Sequence, residues 1–398
     1  MKNDKTASIN HLQFELKEII GIFVNGGYSS VGYILYPLVN GISPSLVKRL
    51  TALVYFVKSR NKSHGLDFSA SLNKFSDFSG NISNAKNFAA VVSELYSDFD
   101  KNKEVPNMKK ISIKSNFLSE IDYSNNYLKP VLELKKFSEN NLKEYLIDIH
   151  VHGSLATLDY VKGWSDFDTL VIIKKETIED SSKLLKLRGI LYKSRKFLYR
   201  MDPLQHHGHL IFTEYDFDYY CQTFFPIALF KYSKSLLNCK KFEFKLRNCR
   251  NDNIKKFRWF ADYFKKIASS EDCRMSSYDL KFFLHAVTLF PAMYLQAKGL
   301  HVYKKFSFDI AKKGFSKKEW NAVDYVSSLR KNWKAPKNFG LIMRYSKINP
   351  LLAYQLNSKL LDISHNIAKL NRIDIKKIAS GMKILSDSAE NKITARWG

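Results

Sequence analysis

The run His-Gly-Ser-Leu-Ala-Thr-Leu-Asp-Tyr-Val-Lys-Gly-Trp-Ser-Asp-Phe-Asp, residues 152–168, decides the fold of this chain. It joins two apolar segments, residues 146–151 and 166–173, whose β-branched side chains predict neighbouring strands. Eleven residues lie between Ser154 and Asp166. This spacing predicts a tight turn at the end of the first strand and an acidic pair at the start of the second.

The acidic pair and the turn have complementary chemistry. Asp166 and Asp168 are two positions apart, so on a strand they face the same side. Two neighbouring carboxylates repel each other unless a cation lies between them, and hard oxygen ligands suit Mg²⁺. Gly153 lets a ligand approach the backbone closely, and Ser154 adds a hydroxyl and an N–H for phosphate oxygens. The pattern therefore favours transfer from a nucleoside triphosphate with two Mg²⁺ ions.

At these residues the chain resembles the nucleotidyltransferase superfamily typified by DNA polymerase beta. The shared pattern is an apolar residue, Gly-Ser, a gap of this length and Asp-x-Asp entering a strand. The sequence Ser165-Asp-Phe-Asp is closest to the small-molecule adenylyltransferases. The resemblance spans residues 138–218. It implies that Asp166 and Asp168 are catalytic metal ligands, that Gly153, Ser154 and Ser165 contact the nucleotide, and that the fold is α+β with a mixed sheet.

The chain departs from this family at the third acid, which active members usually place on a later strand. Residues 206–213 predict that strand, and its alternation places His207 and His209 on one face. Three interpretations stay open. In the first, one of these histidines acts as general base, since its ordinary pKa is close to neutral. In the second, an acid near the strand, Asp202 or Glu214, completes the metal site. In the third, the histidines are merely polar residues beside a cleft without catalysis.

A second group of candidate phosphate contacts lies far downstream. Many nucleotidyltransferases grip the terminal phosphates with a lysine and a serine from a helical domain, and the family resemblance therefore singles out Lys304, Lys305 and Ser307. The alternative is a solvated basic loop, which is common in a lysine-rich chain.

Composition limits the class of protein. The chain has 398 residues, a hydrophobic fraction of 45% and a formal net charge of +26, which predict a globular basic protein with an anionic partner. Its four cysteines form no Cys-x-x-Cys pair, and the first residues lack a secretion signal, so we expect a cytoplasmic protein. The apolar segment 19–39 is interrupted by polar residues, glycines and Pro37, so no membrane insertion is expected.

Three regions are predicted: a mostly helical N-terminal region of unknown role at 1–105, a nucleotidyltransferase-like α/β domain at 106–218 and a C-terminal helical bundle at 219–398. Helical periodicity marks residues 218–237, 253–268, 278–298, 317–331, 350–370 and 373–388. The polar stretch 60–87 predicts loops. The nucleotide and its acceptor are expected in the cleft between the last two regions.

The leading hypothesis is a Mg²⁺-dependent nucleotidyltransferase that uses ATP as the favoured donor and releases pyrophosphate. The acceptor is unidentified: a small molecule is favoured, and tRNA or protein are the alternatives. One rival is a catalytically inactive nucleotide- or RNA-binding protein of the same fold. The missing third acid favours this alternative. Another is a toxin-type modifier of tRNA or protein, which the +26 charge favours.

Overall fold

The computed structural model describes residues 2–26, 41–61, 65–103, 108–202, 204–205, 207–271, 273, 275–334 and 364–394. The helices are α1 (Lys2–Val24), α2 (Pro44–Asn61), α3 (Ser69–Phe78), α4 (Ala85–Asn102), α5 (Lys129–Asn141), α6 (Gly153–Ala156), α7 (Lys175–Glu179), α8 (Ser181–Met201), α9 (Ile227–Phe230), α10 (Arg250–Ser269), α11 (Ser277–Ala297), α12 (Lys304–Lys312), α13 (Lys317–Lys331), α14 (Ser364–Asn371) and α15 (Ile375–Thr394). The strands are β1 (Lys109–Lys114), β2 (Asn116–Phe117), β3 (Leu146–Val151), β4 (Thr169–Ile173), β5 (Leu210–Thr213), β6 (Lys234–Ser235) and β7 (Lys241–Leu246).

A mixed five-stranded sheet lies at the centre of the α/β part, in the order β2-β6-β3-β4-β5. Strand β3 is antiparallel to β4 and β6, whereas β4 runs parallel to β5. The end of β3 and the beginnings of β4 and β5 therefore meet at one edge. A separate antiparallel pair is formed by β1 and β7. The predicted mixed sheet is thus present, and its topology brings the Gly-Ser turn and the acidic pair to the same edge.

Burial on both faces explains why β4 is apolar from Leu170 to its end. All five of its residues are buried. One hydrophobic cluster joins the sheet to the N-terminal helices and α8, and it includes Leu16 of α1, Phe88 of α4, Leu191 of α8 and Val171 of β4. A smaller cluster with Phe242 of β7 covers the opposite face. The helices of the first region therefore form one hydrophobic core with the sheet.

The C-terminal helices have their own core. Helices α10, α11, α13 and α15 share a buried cluster that contains Phe264, Phe283, Trp320 and Met382. Helix α13 begins with a capping box, in which Ser316 and Glu319 satisfy each other's backbone N–H groups. Among the described residues, no helix combines the length and the apolar character that a bilayer crossing requires.

Several local predictions differ from the structure. Strand β4 begins at Thr169 rather than Asp166, and β5 begins at Leu210. The helix predicted at 218–237 is instead a short α9 followed by β6, because Ser235 pairs with β3. Strands β6 and β7 therefore lie beyond residue 218, the predicted end of the α/β domain. The division into three domains stays a prediction.

The remaining differences lie outside the sheet. The stretch 60–87, which was expected to contain loops, also contains α3, where the backbone N–H of the buried Ser71 donates a hydrogen bond to Asp98 of α4. The helix predicted at 350–370 and the start of the predicted strand at 206 fall largely outside the described residues.

Candidate active site

The turn after β3 faces the acidic pair. The backbone N–H of His152 donates to the carbonyl of Asp168 at 3.0 Å, which extends the β3–β4 ladder by one pair. Gly153 then takes a φ of +69°, and a Cβ at this position would lie 2.5 Å from Oδ2 of Asp168. Only glycine fits both constraints. The turn and the carboxylate are therefore in direct proximity.

Asp166 and Asp168 converge with His207. The Nε2 atom of His207 lies 3.1 Å from Oδ1 of Asp168 and 3.6 Å from Oδ2 of Asp166. The three potential ligand atoms lie within 4.8 Å of one another. An octahedral cation with bonds of about 2.1 Å separates adjacent ligand atoms by about 3 Å, so this donor set fits a divalent ion. His207 thus lies where the third acid was expected.

Helix α11 brings two further side chains to Asp166. The Nζ atom of Lys281 lies 2.7 Å from Oδ1 of Asp166 and also contacts the carboxylate of Asp202. Nδ1 of His285, one turn further, lies 3.0 Å from Oδ2 of Asp166. Lys281 is almost completely buried. Neither residue was predicted from the sequence, although a Lys-x-x-x-His pair within the apolar α11 marks one polar position per turn on a single face.

These contacts determine the ionisation of the acidic pair. Burial opposes the charge on Asp166, but the charges of His285 and Lys281 hold its pKa well below its usual range. Burial also opposes ionisation of Asp168, and the hydrogen bond from His207 outweighs it and lowers the pKa to about 2. For Asp202, burial dominates and raises the pKa to about 7. Both members of the Asp-x-Asp pair are therefore anionic at neutral pH.

The other candidates for the third acid lie outside this cluster, although Asp202 also interacts with the carboxylate of Asp166. Asp202 contacts Lys281, and its Oδ1 accepts from the backbone N–H of Leu204 at 3.0 Å. Glu214 follows the far end of β5, where its Oε2 accepts from the backbone N–H of Lys175 at 2.8 Å. Neither belongs to the cluster of Asp166, Asp168 and His207. The structure therefore does not bring an additional carboxylate from these two positions into the candidate metal site.

His209 is a buried structural residue rather than a neighbour of the acidic pair. Its Nδ1 is 2.7 Å from Oγ1 of Thr169, and its Nε2 is 2.8 Å from Oγ of Ser194. Burial lowers its pKa to about 3. Asn25, which follows α1, pairs with the backbone N–H and carbonyl of His209, both at 2.9 Å. With both ring nitrogens engaged, His209 is poorly placed to accept a proton from a substrate.

A cavity of about 300 Å³ opens at the acidic pair, between the sheet and α11. Its polar lining includes Gly153, Asp166, Asp168, His207 and Lys304. Burial, assisted by the charge of Arg330, lowers the pKa of Lys304 to about 8. The apolar lining comprises Phe224, Phe225, Phe260, Phe282, Leu289 and Met293, among others. The cavity thus combines a charged end with an apolar wall, as nucleotide sites do.

The remaining predicted phosphate contacts are dispersed. Lys305 is exposed and lies 3.3 Å from Asp159. Ser307 is buried within α12 and donates to the carbonyl of Lys304 at 2.6 Å. Ser165 accepts a hydrogen bond from the backbone N–H of Val161 and so holds the loop before Asp166. Ser154 follows Gly153 in the single turn of α6. Lys304 is therefore the downstream candidate that the cavity places beside the acidic pair.

Comparison with known proteins finds a family match over the part of the chain that contains the acidic pair. Residues 133–252 match the model of a family described as the nucleotidyltransferase domain, from α5 to the start of α10. No curated protein and no solved structure matches the chain. The match supports the superfamily and a transferase with a nucleoside triphosphate as its ligand. The narrower likeness to small-molecule adenylyltransferases stays a prediction.

Proposed function

We propose that this protein transfers a nucleoside monophosphate from a nucleoside triphosphate, with ATP as the favoured donor, to an acceptor hydroxyl or phosphate. An acceptor oxygen bonds to the α-phosphorus, the bond from that phosphorus to the bridging oxygen breaks, and pyrophosphate leaves. One observation carries the proposal: the positive-φ glycine of the turn lies directly against Asp168, in a cavity that also contains Asp166 and His207.

The residues of the cavity have different proposed roles in binding the cation, the phosphates and the base. Asp166, Asp168 and His207 would hold a divalent cation, for which the sequence predicts Mg²⁺. Such a cation, when bound, neutralises phosphate charge and lowers the pKa of an acceptor hydroxyl. Gly153 allows a phosphate to approach the backbone, and Lys304 supplies a positive charge to the phosphate chain. The phenylalanines of the wall exclude water and offer surfaces for the base.

Of the two histidines proposed as general base, His207 lines the cavity, whereas His209 is held by Thr169 and Ser194. His207 hydrogen-bonds to both carboxylates, and these bonds outweigh burial and raise its pKa well above the ordinary value. A protonated imidazole cannot accept a proton. In the cation-free protein His207 is therefore a donor to the acidic pair, and a role as base requires that this proton be displaced first.

A second cavity suggests how an acceptor reaches the site. It has a volume of about 1330 Å³, lies between α1 and α10, and shares Phe224, Lys256 and Phe260 with the first cavity. Its lining includes Arg247 and Lys255. Trp259, also in the lining, is 55% exposed. We propose this cavity as the acceptor side. A small molecule fits its volume, and its aromatic residues and its excess of basic over acidic residues also suit the tRNA acceptor of a toxin-type enzyme.

Turnover tests the proposal. The full-length protein, incubated with each of the four labelled nucleoside triphosphates and a divalent cation, should release pyrophosphate from at least one. Asp168→Asn should abolish the release while the circular dichroism spectrum is retained. Asp180→Asn is the matched control, because Asp180 caps α8 away from the cavity. Equal release by wild type and Asp168→Asn would remove Asp168 from the mechanism.

A catalytically inactive nucleotide-binding protein is the second candidate, and a specific observation favours it. Lys281 and His207 already lie against the two aspartates and balance part of their charge without a metal ion. Such a protein would bind nucleotide with an affinity that does not depend on divalent cations and would release no pyrophosphate. Isothermal titration with and without a chelator separates the two candidates.

A further inference from the structure

Strands β1 and β7 form a two-stranded sheet whose solvent-facing side is rich in lysine. Residues directly opposite each other in an antiparallel pair project from the same face, and the register pairs Lys110 with Lys245 and Lys114 with Lys241. The side chains of Lys110, Lys114 and Lys241 are exposed, and that of Lys245 is partly exposed. These four residues are called the lysine ribbon below.

The lysine ribbon places like charges where they destabilise a sheet. Two lysines directly opposite on neighbouring strands repel each other, and this arrangement occurs at both ends of the ribbon. Two acids lie beside the four lysines. A carboxylate oxygen of Glu243 is 2.7 Å from Nζ of Lys241, and one of Asp218 is 2.7 Å from Nζ of Lys245. The ribbon therefore keeps an excess of positive charge, which an anion bound across both strands would neutralise.

One end of the lysine ribbon lies beside the larger cavity, between α1 and α10. Met108 lines this cavity and is two residues before Lys110. Arg247 also lines it and is two residues after Lys245. The far pair of lysines is four residues further along each strand, a distance of about 14 Å. The ribbon thus leads from solvent to the proposed acceptor side.

The larger cavity adds aromatic side chains to this basic surface. Trp259 is 55% exposed and stacks on Tyr263 of the same helix, with ring centroids 5.8 Å apart. Phe14 and Phe224 also belong to the lining. A basic surface that follows a phosphate backbone, together with aromatic rings on which bases stack, is the usual arrangement for binding single-stranded nucleic acid. A duplex keeps its bases stacked inside and could not offer them to these rings.

We propose that the lysine ribbon binds the phosphate backbone of a single-stranded RNA and directs its end into the larger cavity. The inference rests on the proposed function, because it names RNA as the acceptor. The terminal hydroxyl oxygen of the RNA would bond to the α-phosphorus, with loss of its proton and of pyrophosphate. RNA fits because its unpaired ends are what proteins usually recognise, and the net charge of +26 agrees with a polyanionic partner.

Salt-dependent RNA binding by the full-length protein tests the ribbon. Fluorescence anisotropy with a labelled oligouridylate should show an affinity whose logarithm falls linearly with the logarithm of the salt concentration. Lys114→Gln/Lys241→Gln removes the lysine pair farthest from the cavity and should reduce this slope by about 1.4, or about 0.7 for each phosphate contact. At low salt the affinity should fall by about tenfold or more. A wild-type protein that does not bind the oligouridylate would overturn the inference.

Lys317→Gln/Lys318→Gln is the matched control. It removes the same charge from two exposed lysines of α13 that line neither cavity, so the slope should stay at the wild-type value. Equal reductions in both double variants would show that total charge determines binding, which would overturn the inference. Binding to phosphatidylserine vesicles without binding to the oligouridylate would assign the ribbon to a membrane surface instead.

Lys114→Glu separates a binding role from a structural one. This substitution places an acid directly opposite Lys241 and replaces a like-charge pair by an ion pair, so the urea-denaturation midpoint should rise. The affinity for the oligouridylate should nevertheless fall by about tenfold or more at low salt. A variant that binds the oligouridylate as tightly as the wild type would contradict the role of the ribbon.

The outcomes also separate this inference from the proposed function. Ribbon-dependent RNA binding without pyrophosphate release would support the binding surface and remove the transferase activity. Pyrophosphate release by a protein that does not bind the oligouridylate would support the activity and overturn the ribbon.

Discussion

Gly153 is the residue at which backbone conformation and site chemistry meet most closely. Two observations each require glycine at this position: its φ of +69°, and the distance of 2.5 Å between a hypothetical Cβ and Oδ2 of Asp168. Gly153→Ala should lower the free energy of unfolding by about 1–3 kcal/mol through backbone strain alone. Displacement of the Asp168 carboxylate should additionally reduce pyrophosphate release by about 100-fold.

Gly65→Ala is the matched control for this substitution. Gly65 has a φ of +62°, but nothing lies within 4 Å of a Cβ at that position. The urea-denaturation midpoint of the Gly65→Ala protein should fall as in Gly153→Ala, while its pyrophosphate release stays at the wild-type level. A similar loss of activity in both variants would show that the clash with Asp168 has no catalytic consequence.

If Lys304 binds the phosphate chain as proposed, nucleotide binding should depend on pH. Its pKa of about 8 means that the ammonium, charged at pH 7, is mostly neutral at pH 9. Nucleotide affinity should therefore fall as pH rises, by a factor approaching about tenfold per pH unit above the pKa. Lys304→Arg keeps its charge throughout this range, so its affinity, measured by isothermal titration at pH 7, 8 and 9, should be nearly constant. An equal decline in Lys304→Arg would contradict phosphate binding by Lys304.

At the scale of elements, Lys281 joins α11 to Asp166 and Asp202 through buried ion pairs. Lys281→Met leaves Asp166 and Asp202 as neighbouring buried acids and should destabilise the protein by about 3–5 kcal/mol. Adding Asp202→Asn removes one of these charges and should recover part of the loss. Chemical denaturation of the wild type, of Lys281→Met and of the double variant measures these differences in the free energy of unfolding. A Lys281→Met protein as stable as the wild type would show that the bridge has no structural role.

The same elements show what the sequence could and could not predict. Periodicity and the Gly-Ser…Asp-x-Asp spacing were sufficient for β3, β4 and the meeting of Gly153 with the acidic pair, because these contacts are local in sequence. The contact of Lys281 with Asp166 joins residues far apart in the chain, and no periodicity encodes such a pairing. The expectation that His207 and His209 share one face differs from the structure, because β5 begins at Leu210 and strand alternation does not apply before it.

At the scale of the whole molecule, the N-terminal helices and the sheet share one core. Leu16 of α1 is completely buried in the cluster that also contains Val171 of β4, whereas Ile22 of the same helix is 37% exposed. Leu16→Ala should therefore cost about 2–5 kcal/mol and lower the thermal midpoint of the α/β part as well. Ile22→Ala should change stability by only about 0.5 kcal/mol. Equal midpoints for the two variants, followed by circular dichroism, would indicate that α1 unfolds independently of the sheet.

The central claim is that the acidic pair and the glycine turn share one cation and one nucleotide, and anomalous diffraction tests it most directly. Crystals of the full-length protein should be soaked with Mn²⁺ and a non-hydrolysable nucleoside triphosphate. We expect one anomalous peak within bonding distance of Asp166, Asp168 and His207, with the triphosphate beside Gly153 and Lys304. A peak away from the aspartates, or a nucleotide bound only in the larger cavity between α1 and α10, would contradict the proposed active site.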